Sequence, residues 1–247
     1  MSNLFTVLPF LFSNPALPVI PEEDMRRLAA GEPGAYDYWQ FGGSANSLVG
    51  VQAGRPLVPQ SGQPEFHPNY ATLSAAAGSA LMTGLGESVA QEDTIYAVIR
   101  VAPGSPLIIF GSLGTTGVGT GSGVFQIAGQ ALSQQHRGTN ILQETGLTLT
   151  PGDWLFVALS RQFSVGANAV HVMVGGQPVA TGFGTGVYAP SAGEIALGNA
   201  YYTSSPDIGP FDIAEFGVFP LSLDADGLED LYLRVKARCA ERGIAVV

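Results

Sequence analysis

The feature that most constrains the fold is a series of strand-like segments between residues 154 and 243. These segments are residues 154–161, 170–179, 194–198 and 211–219. Apolar side chains alternate along most of them, as they do in β-strands, and Gly175-Gly176 marks a tight hairpin. The last segment leads into a stretch of helical periodicity. This order of elements predicts an all-β, antiparallel fold that ends in one helix.

The same segments resemble the second half of a laminin-G-like, or concanavalin A-like, jelly roll. In that family a strand that opens with Trp, here Trp154, precedes a strand–turn–strand of the VxVxVGGxPV kind, here residues 170–179. An IxLG strand and an IAEFGVF strand follow, here residues 195–198 and 213–219, and Leu221-Ser222 opens the helix. The resemblance implies an antiparallel β-sandwich. It says little about function, because this fold hosts lectins, hydrolases, adhesion modules and virus structural proteins.

The first 35 residues predict an apolar arm followed by a short helix. Prolines at positions 9, 15 and 18 prevent a long helix in the arm, and no Lys or Arg precedes the apolar run as it would in a signal peptide. The apolar run is also too short to span a membrane. The arm is expected to pack on its own domain or on a neighbouring subunit. Its apolar residues are Leu4, Phe5, Leu8, Phe10, Leu11 and Phe12.

The remaining chain is divided into a jelly-roll sandwich over residues 36–221 and a C-terminal helix over residues 222–247. Further strands are predicted at residues 39–41, 47–51, 70–73, 94–101, 107–111, 123–128 and 139–142. Ser222 or Asp224 caps the helix and Gly243 ends it. Its apolar stripe comprises Leu228, Leu231, Tyr232, Val235 and Cys239. We expect this stripe to pack on the sandwich or on a neighbouring subunit.

Charge is scarce throughout the chain. Only 12% of the residues are charged, the net charge is −10, and Lys236 is the single lysine. Nucleic acids and acidic membrane surfaces require clustered positive charge, so neither is expected as a partner. A surface with so few charges predicts burial against other subunits, and therefore a homo-oligomer of undetermined size. Because Cys239 is the only cysteine, no intrachain disulfide can form.

The sequence contains few of the residue patterns expected of an enzyme or a metal site. Retaining glycosidases need two carboxylates about 5 Å apart. Asp212 and Glu215 are three residues apart, which predicts opposite faces of a strand, so we expect no catalysis. No cofactor is expected. The candidate ligands for calcium are Asp93, Asp207 and Asp212, but the sequence has no dense acidic loop of the EF-hand kind. His67, His136 and His171 lack ligand-like spacing and are expected on the surface or in strands.

Sugar binding would use aromatic side chains beside polar loop groups. The loop that contains Tyr201, Tyr202 and Asp207 fits this description, and Trp39 is a further candidate. The alternative is a turn whose tyrosines cover a sheet edge.

The resemblance, the low charge and the apolar arm together favour a non-enzymatic structural protein of a bacteriophage virion. Such a protein would decorate a capsid or form part of a tail or fibre, and its arm and sandwich surface would contact copies of itself and other virion proteins. It would assemble in the host cytoplasm without a signal peptide. The alternative is a lectin-like, glycan-binding module for attachment to a host or surface. An enzyme ranks last.

Overall fold

The described part of the chain folds as a β-sandwich with one α-helix against its outer face. The computed structural model describes residues 31–74, 76–89, 91–103, 107–114, 121–126, 131–136, 144–164, 167–203 and 209–247. Strands account for 45% of the chain and helices for 11%, and all strand pairs within the two sheets are antiparallel. The predicted antiparallel sandwich with a C-terminal helix is therefore confirmed. The predicted arm and short helix, up to residue 30, lie outside the described residues.

Fourteen strands are described. In chain order they are β1 (Asp37–Gln40), β2 (Val58–Pro59), β3 (Glu65–Phe66), β4 (Ala71–Leu73), β5 (Leu81–Gly86), β6 (Glu92–Val101), β7 (Leu107–Gly111), β8 (Ser122–Gln126), β9 (Leu132–His136), β10 (Trp154–Ser164), β11 (Ala167–Val174), β12 (Ala180–Gly184), β13 (Glu194–Leu197) and β14 (Phe211–Phe219). The larger sheet has the order β12-β11-β10-β6-β14-β4-β3, with β1 also paired to β14. The smaller sheet has the order β2-β5-β13-β7-β8-β9.

Strand β6 shows why the larger sheet is apolar on both faces. Ile95, Ala97 and Ile99 belong to the core between the sheets, as the alternation predicts. Tyr96 and Val98 point to the opposite face and pack in a second apolar cluster. The central strands are therefore covered on both sides, which is what their nearly continuous apolar sequence indicates.

Helix α1 (Ala225–Glu241) provides the cover on the outer face of the larger sheet. The Asp224 side chain accepts a hydrogen bond from the backbone N–H of Gly227 at 2.9 Å, so Asp224 is the cap. Gly243 has φ +75° and follows the helix end. The predicted stripe is buried in full, namely Leu228, Leu231, Tyr232, Val235 and Cys239. Within the described residues, no helix has both the length and the apolar character needed to cross a bilayer.

The predicted and the observed strands differ in several places. The segment predicted as a strand at residues 47–51 begins as a 3-10 helix at Ala45–Leu48, because the Ser44 side chain accepts the N–H of Asn46 and turns the chain. Strand β9 carries mostly polar residues, so its sequence gave no alternation, yet it pairs with β8 over five positions. The strand predicted at residues 139–142 lies outside the described residues.

The faces of β14 also differ from the prediction, because the strand contains a β-bulge. Between Ile213 and Glu215 the register to β6 shifts, and Ala214 is the extra residue. Ile213 and Phe216 both face the core between the sheets, whereas Ala214 faces helix α1. Asp212 and Glu215 consequently share the outer face, and the prediction that they occupy opposite faces is wrong.

Burial should keep the Cys239 thiol unreactive in the native protein. Its side chain is fully buried, and desolvation raises its pKa to about 12. We expect no reaction with Ellman's reagent at pH 8 over minutes, and one thiol per chain once urea unfolds the protein. Rapid reaction of the folded protein would contradict the docking of α1 described above.

Candidate functional site

A row of four side chains crosses the outer face of the larger sheet. Trp154 on β10 is directly opposite Arg100 on β6, Arg100 is opposite Asp212 on β14, and Asp212 is opposite Thr72 on β4. Residues directly opposite each other in neighbouring strands place their side chains on the same face. We call Trp154, Arg100, Asp212 and Thr72 the polar row.

An ion pair holds the centre of the polar row. The Arg100 guanidinium donates to Asp212 Oδ2 from Nε at 3.0 Å and from Nη2 at 2.7 Å. The Thr72 hydroxyl donates to Asp212 Oδ1 at 2.6 Å. Hydrogen bonding to Asp212 raises the pKa of Arg100 above its ordinary value. The two side chains are 33% and 21% exposed, so the pair is fixed in place and still reachable from solvent.

Aromatic rings flank this ion pair. The Arg100 guanidinium carbon lies 4.7 Å from the ring centre of Trp154 and 5.1 Å from that of Tyr70. The Tyr70 ring meets Trp154 edge-on at 5.5 Å and stacks on His67 at 4.3 Å. His67 Nε2 is 3.0 Å from the Thr72 hydroxyl oxygen, which ties the aromatic group back to the row.

A cavity of about 370 Å³ opens beside the polar row and is lined by Thr72, Arg100 and Asp212. The remaining walls come from the last residue of β6, the first residue of β14 and the adjoining loops, including Pro103 and Pro151. This volume is within the range of small-ligand sites. The row therefore presents donors and acceptors at the wall of this cavity, and the partly exposed rings of Trp154 and Tyr70 lie beside Arg100.

The prediction that Trp39 contacts a sugar is wrong. Its side chain is fully buried in the core between the sheets and stacks on Phe216 at 5.5 Å. Its indole N–H donates to the carbonyl of Arg55 at 2.8 Å. A ring enclosed in this way offers no surface to a ligand.

The two tyrosines of the predicted loop follow strand β13 of the smaller sheet. Tyr201 packs with Ala196 on the smaller sheet, and its hydroxyl accepts the Glu194 backbone N–H at 2.8 Å. Tyr202 is tied through its backbone N–H to the Asn199 side chain at 2.9 Å. Both rings are half-buried, and Asp207 lies outside the described residues. Neither Tyr201 nor Tyr202 lines the cavity beside the polar row.

The two carboxylates considered for catalysis are each held by a different arginine. Asp212 pairs with Arg100, and Glu215, which is fully buried, accepts from Arg238 Nη2 at 2.7 Å. The bulge in β14 therefore gives them a common face and separate partners.

The calcium candidates show a similar pattern. Asp93 accepts from the buried Arg161 at 2.6 Å, and Asp212 is paired with Arg100 as described. Among the described residues, no group of three or more His, Cys, Asp or Glu side chains is placed to hold a metal ion.

The histidines are placed as follows. His136 lies in β9 and is buried, and desolvation lowers its pKa well below the usual value. His171 lies on β11, where its Nδ1 is 2.9 Å from the Thr181 hydroxyl. His67 is the histidine that borders the polar row, and sequence reasoning did not assign it there.

Comparison with known proteins adds information on the fold. No family model and no curated protein matches the chain. The chain is similar to the botulinum neurotoxin serotype D binding domain, with a TM-score of 0.58 and 14% identity over 86% of this chain and 53% of the other. It is also similar to Trypanosoma rangeli sialidase in complex with sialic acid, with a TM-score of 0.58 and 16% identity over 85% of this chain and 37% of the other.

These matches define the class of fold. It is a jelly-roll-like β-sandwich, which also occurs in the neurotoxin binding domain and in the sialidase. The chain spans about half, or less, of the length of the structures it matches. At such identities the likeness shows the fold alone, so the function has to be argued from the site.

Proposed function

We propose that this protein is a non-enzymatic, glycan-binding module and that the polar row, with Tyr70, is its binding site. The observation that supports this most is the cross-strand register, which puts a partly exposed ion pair next to Trp154 and beside a cavity of about 370 Å³. Four separate strands contribute to one surface, and the rigid sheet preorganises it.

The chemistry of the row suits a sugar. A pyranose has an apolar C–H face, which packs on an aromatic ring such as Trp154, and hydroxyl groups, which require both donors and acceptors. Arg100 supplies donors and Asp212 supplies acceptors, and both are already fixed by hydrogen bonds, so little side-chain entropy is lost on binding.

The charge balance favours a neutral sugar over one that carries a carboxylate. Asp212 neutralises Arg100, and the exposed Glu65 lies opposite Thr72 on the next strand. A carboxylate ligand would meet this negative edge without an unpaired cation in the row to compensate it.

Replacing Trp154 with Ala should weaken glycan binding at least about tenfold, because the ring face that packs on the sugar is lost. A glycan array identifies a ligand, and isothermal titration calorimetry measures its affinity for each variant. Asp212→Asn tests the same site through a near-isosteric change, and loss of its acceptor charge should also cost about tenfold.

Tyr202→Ala is the matched control, because it removes a partly exposed aromatic ring from the other candidate loop. Its affinity should equal that of the unchanged protein. Loss of binding in Tyr202→Ala alone would move the site to the tyrosine loop. Absence of binding to any glycan at high protein concentration, with and without calcium, would contradict the proposal as a whole.

A structural role in a bacteriophage virion is the second candidate. It is supported by the single lysine and the net charge of −10, and it also implies location in the virion. The arm residues on which it depends lie outside the described residues. Light scattering of the protein with and without residues 1–33 tests it. A stable oligomer that dissociates on truncation would support the arm as an assembly device, and a monomer in both forms would oppose it.

A further inference from the structure

Sheet edges that expose unpaired backbone groups invite pairing with another chain, and folded proteins usually block them. The described residues contain five outer strands, and two of these are covered by other segments of the chain. The backbone N–H of Val51 donates to the carbonyl of Tyr38 in β1 at 2.8 Å. In β9, Leu132 exchanges backbone hydrogen bonds with Leu147 and Thr145 at 2.7 and 3.3 Å.

Two other outer strands are blocked by their sequence. Strand β2 ends in Pro59, and Pro56 precedes it. Strand β3 carries the exposed Glu65 between Pro64 and Pro68. Prolines remove backbone donors and an exposed charge disfavours a second strand, so neither edge can extend its sheet.

Strand β12 itself contains no proline and no charged side chain, although Pro178 precedes it by two residues. In the described part of the chain it pairs only with β11, and residues 180–188 contain neither a charged residue nor a proline. Phe183 is 75% exposed, the largest value among the exposed large apolar side chains of the described residues. Its neighbour Gly182 is opposite the core residue Val170, so Phe183 lies on the outer face of the larger sheet.

We propose that β12 is the contact surface for a second copy of this chain, which pairs antiparallel to it across a two-fold axis. An antiparallel edge is self-complementary under this symmetry, because residue i meets residue j and residue j meets residue i. The two larger sheets become one continuous sheet, and the two Phe183 rings pack on the same face of it.

The charge distribution indicates where two copies of this chain can meet with the least repulsion. Two molecules of net charge −10 repel each other, and the contact is least costly where the surface carries no charge. The β12 edge is such a strip, and the single lysine, Lys236, lies on helix α1 instead. The paired edge is short, so we expect a dissociation constant in the range of about 1–100 μM.

Sedimentation equilibrium of the full chain between about 1 and 300 μM tests this proposal. The mass should rise with concentration from 25.6 kDa towards twice that value. Phe183→Lys should remain monomeric throughout the range, with an unchanged circular dichroism spectrum. Val58→Lys is the matched control, because Val58 is 56% exposed on the proline-blocked edge of the smaller sheet, and it should dimerise normally.

Amide hydrogen exchange provides a second measurement at the level of the strand. Protection of residues 180–184 should increase with protein concentration in the unchanged protein and not in Phe183→Lys. A monomer at all concentrations, a Phe183→Lys dimer, or equal loss of dimer in both lysine variants would each overturn the proposal.

Discussion

Replacing Arg161 with Met is expected to destabilise the protein by about 3–5 kcal/mol, because it leaves two buried carboxylates without their cation. The Arg161 side chain is fully buried between the sheets. Its Nε and Nη2 donate to the two carboxylate oxygens of Asp93 at 2.6 and 2.8 Å, and Nη2 also lies 3.0 Å from Glu87 Oε1. Asp93 and the Glu87 side chain are both 0–1% exposed.

The pH dependence of this effect has a definite sign. Burial alone would raise the pKa of Glu87, but Arg161 and hydrogen bonds that include those of Tyr188 and Ser191 lower it below its ordinary value of 4.5. The stability that ionised Glu87 contributes is therefore present above about pH 4.5 and is lost as the pH falls through its folded-state pKa. In Arg161→Met the carboxylates are uncompensated, so acid should relieve part of the penalty and the difference between the two proteins should shrink.

Urea denaturation followed by circular dichroism, at pH 7 and at pH 4, measures both parts of this prediction. Gln162→Ala is the control, because Gln162 is the next residue on β10, is exposed, and should change stability by no more than about 0.5 kcal/mol. A loss below about 1 kcal/mol for Arg161→Met would show that the cluster is not the buried ion network described.

Replacing Arg238 with Met should have the next largest effect, a loss of about 3–4 kcal/mol. Arg238 joins helix α1 to strand β14 of the larger sheet through Glu215. Its Nη2 donates to Glu215 Oε1 at 2.7 Å, its Nη1 donates to Glu32, and both glutamates are fully buried. Tyr96 also donates to Glu215 Oε1 at 2.8 Å. Without Arg238, Glu32 is left with Arg234 at 3.0 Å and Glu215 with Arg242 at 4.0 Å, so the two buried negative charges beneath the helix are only partly compensated.

The double variant Arg238→Met with Glu215→Gln separates lost charge pairing from lost packing. It should recover part of the stability, because Glu215→Gln removes the carboxylate charge that Arg238 no longer pairs. The Cys239 thiol reports on the same region, and its reaction with Ellman's reagent should become faster in Arg238→Met. Leu233→Ala, on the exposed face of α1, is the control and should affect neither measurement. Equal stability of the single and double variants would argue against the charge explanation.

The parts of the fold that the sequence predicts are those whose pattern is local. Alternation along residues 94–101 and 154–161 indicates β6 and β10, and the Gly175-Gly176 pair indicates the reversal after β11. The spacing of Leu228, Leu231 and Val235 indicates the buried face of α1. Each pattern lies within one element, so it can be recognised without knowing which strands or helices pack against that element.

The polar row could not be predicted in this way. Arg100 and Asp212 are 112 residues apart, and Thr72 and Asp212 are 140 residues apart, so only the strand order and register bring them together. Sequence reasoning used Trp154 as a marker of the fold and considered Asp212 for catalysis and for calcium. The bulge in β14 also has no local signature, and it is what reverses the expected faces of Asp212 and Glu215.

The bulge at Ala214 divides β14 into two parts that carry different contacts. The first part carries Asp212 of the polar row, and the second carries Glu215, which anchors α1 through Arg238. Each acid has its own arginine, so substitutions around Arg100 leave the anchor of the helix intact. Substitutions in the polar row can therefore accumulate during evolution while the attachment of the helix to the sheet is retained.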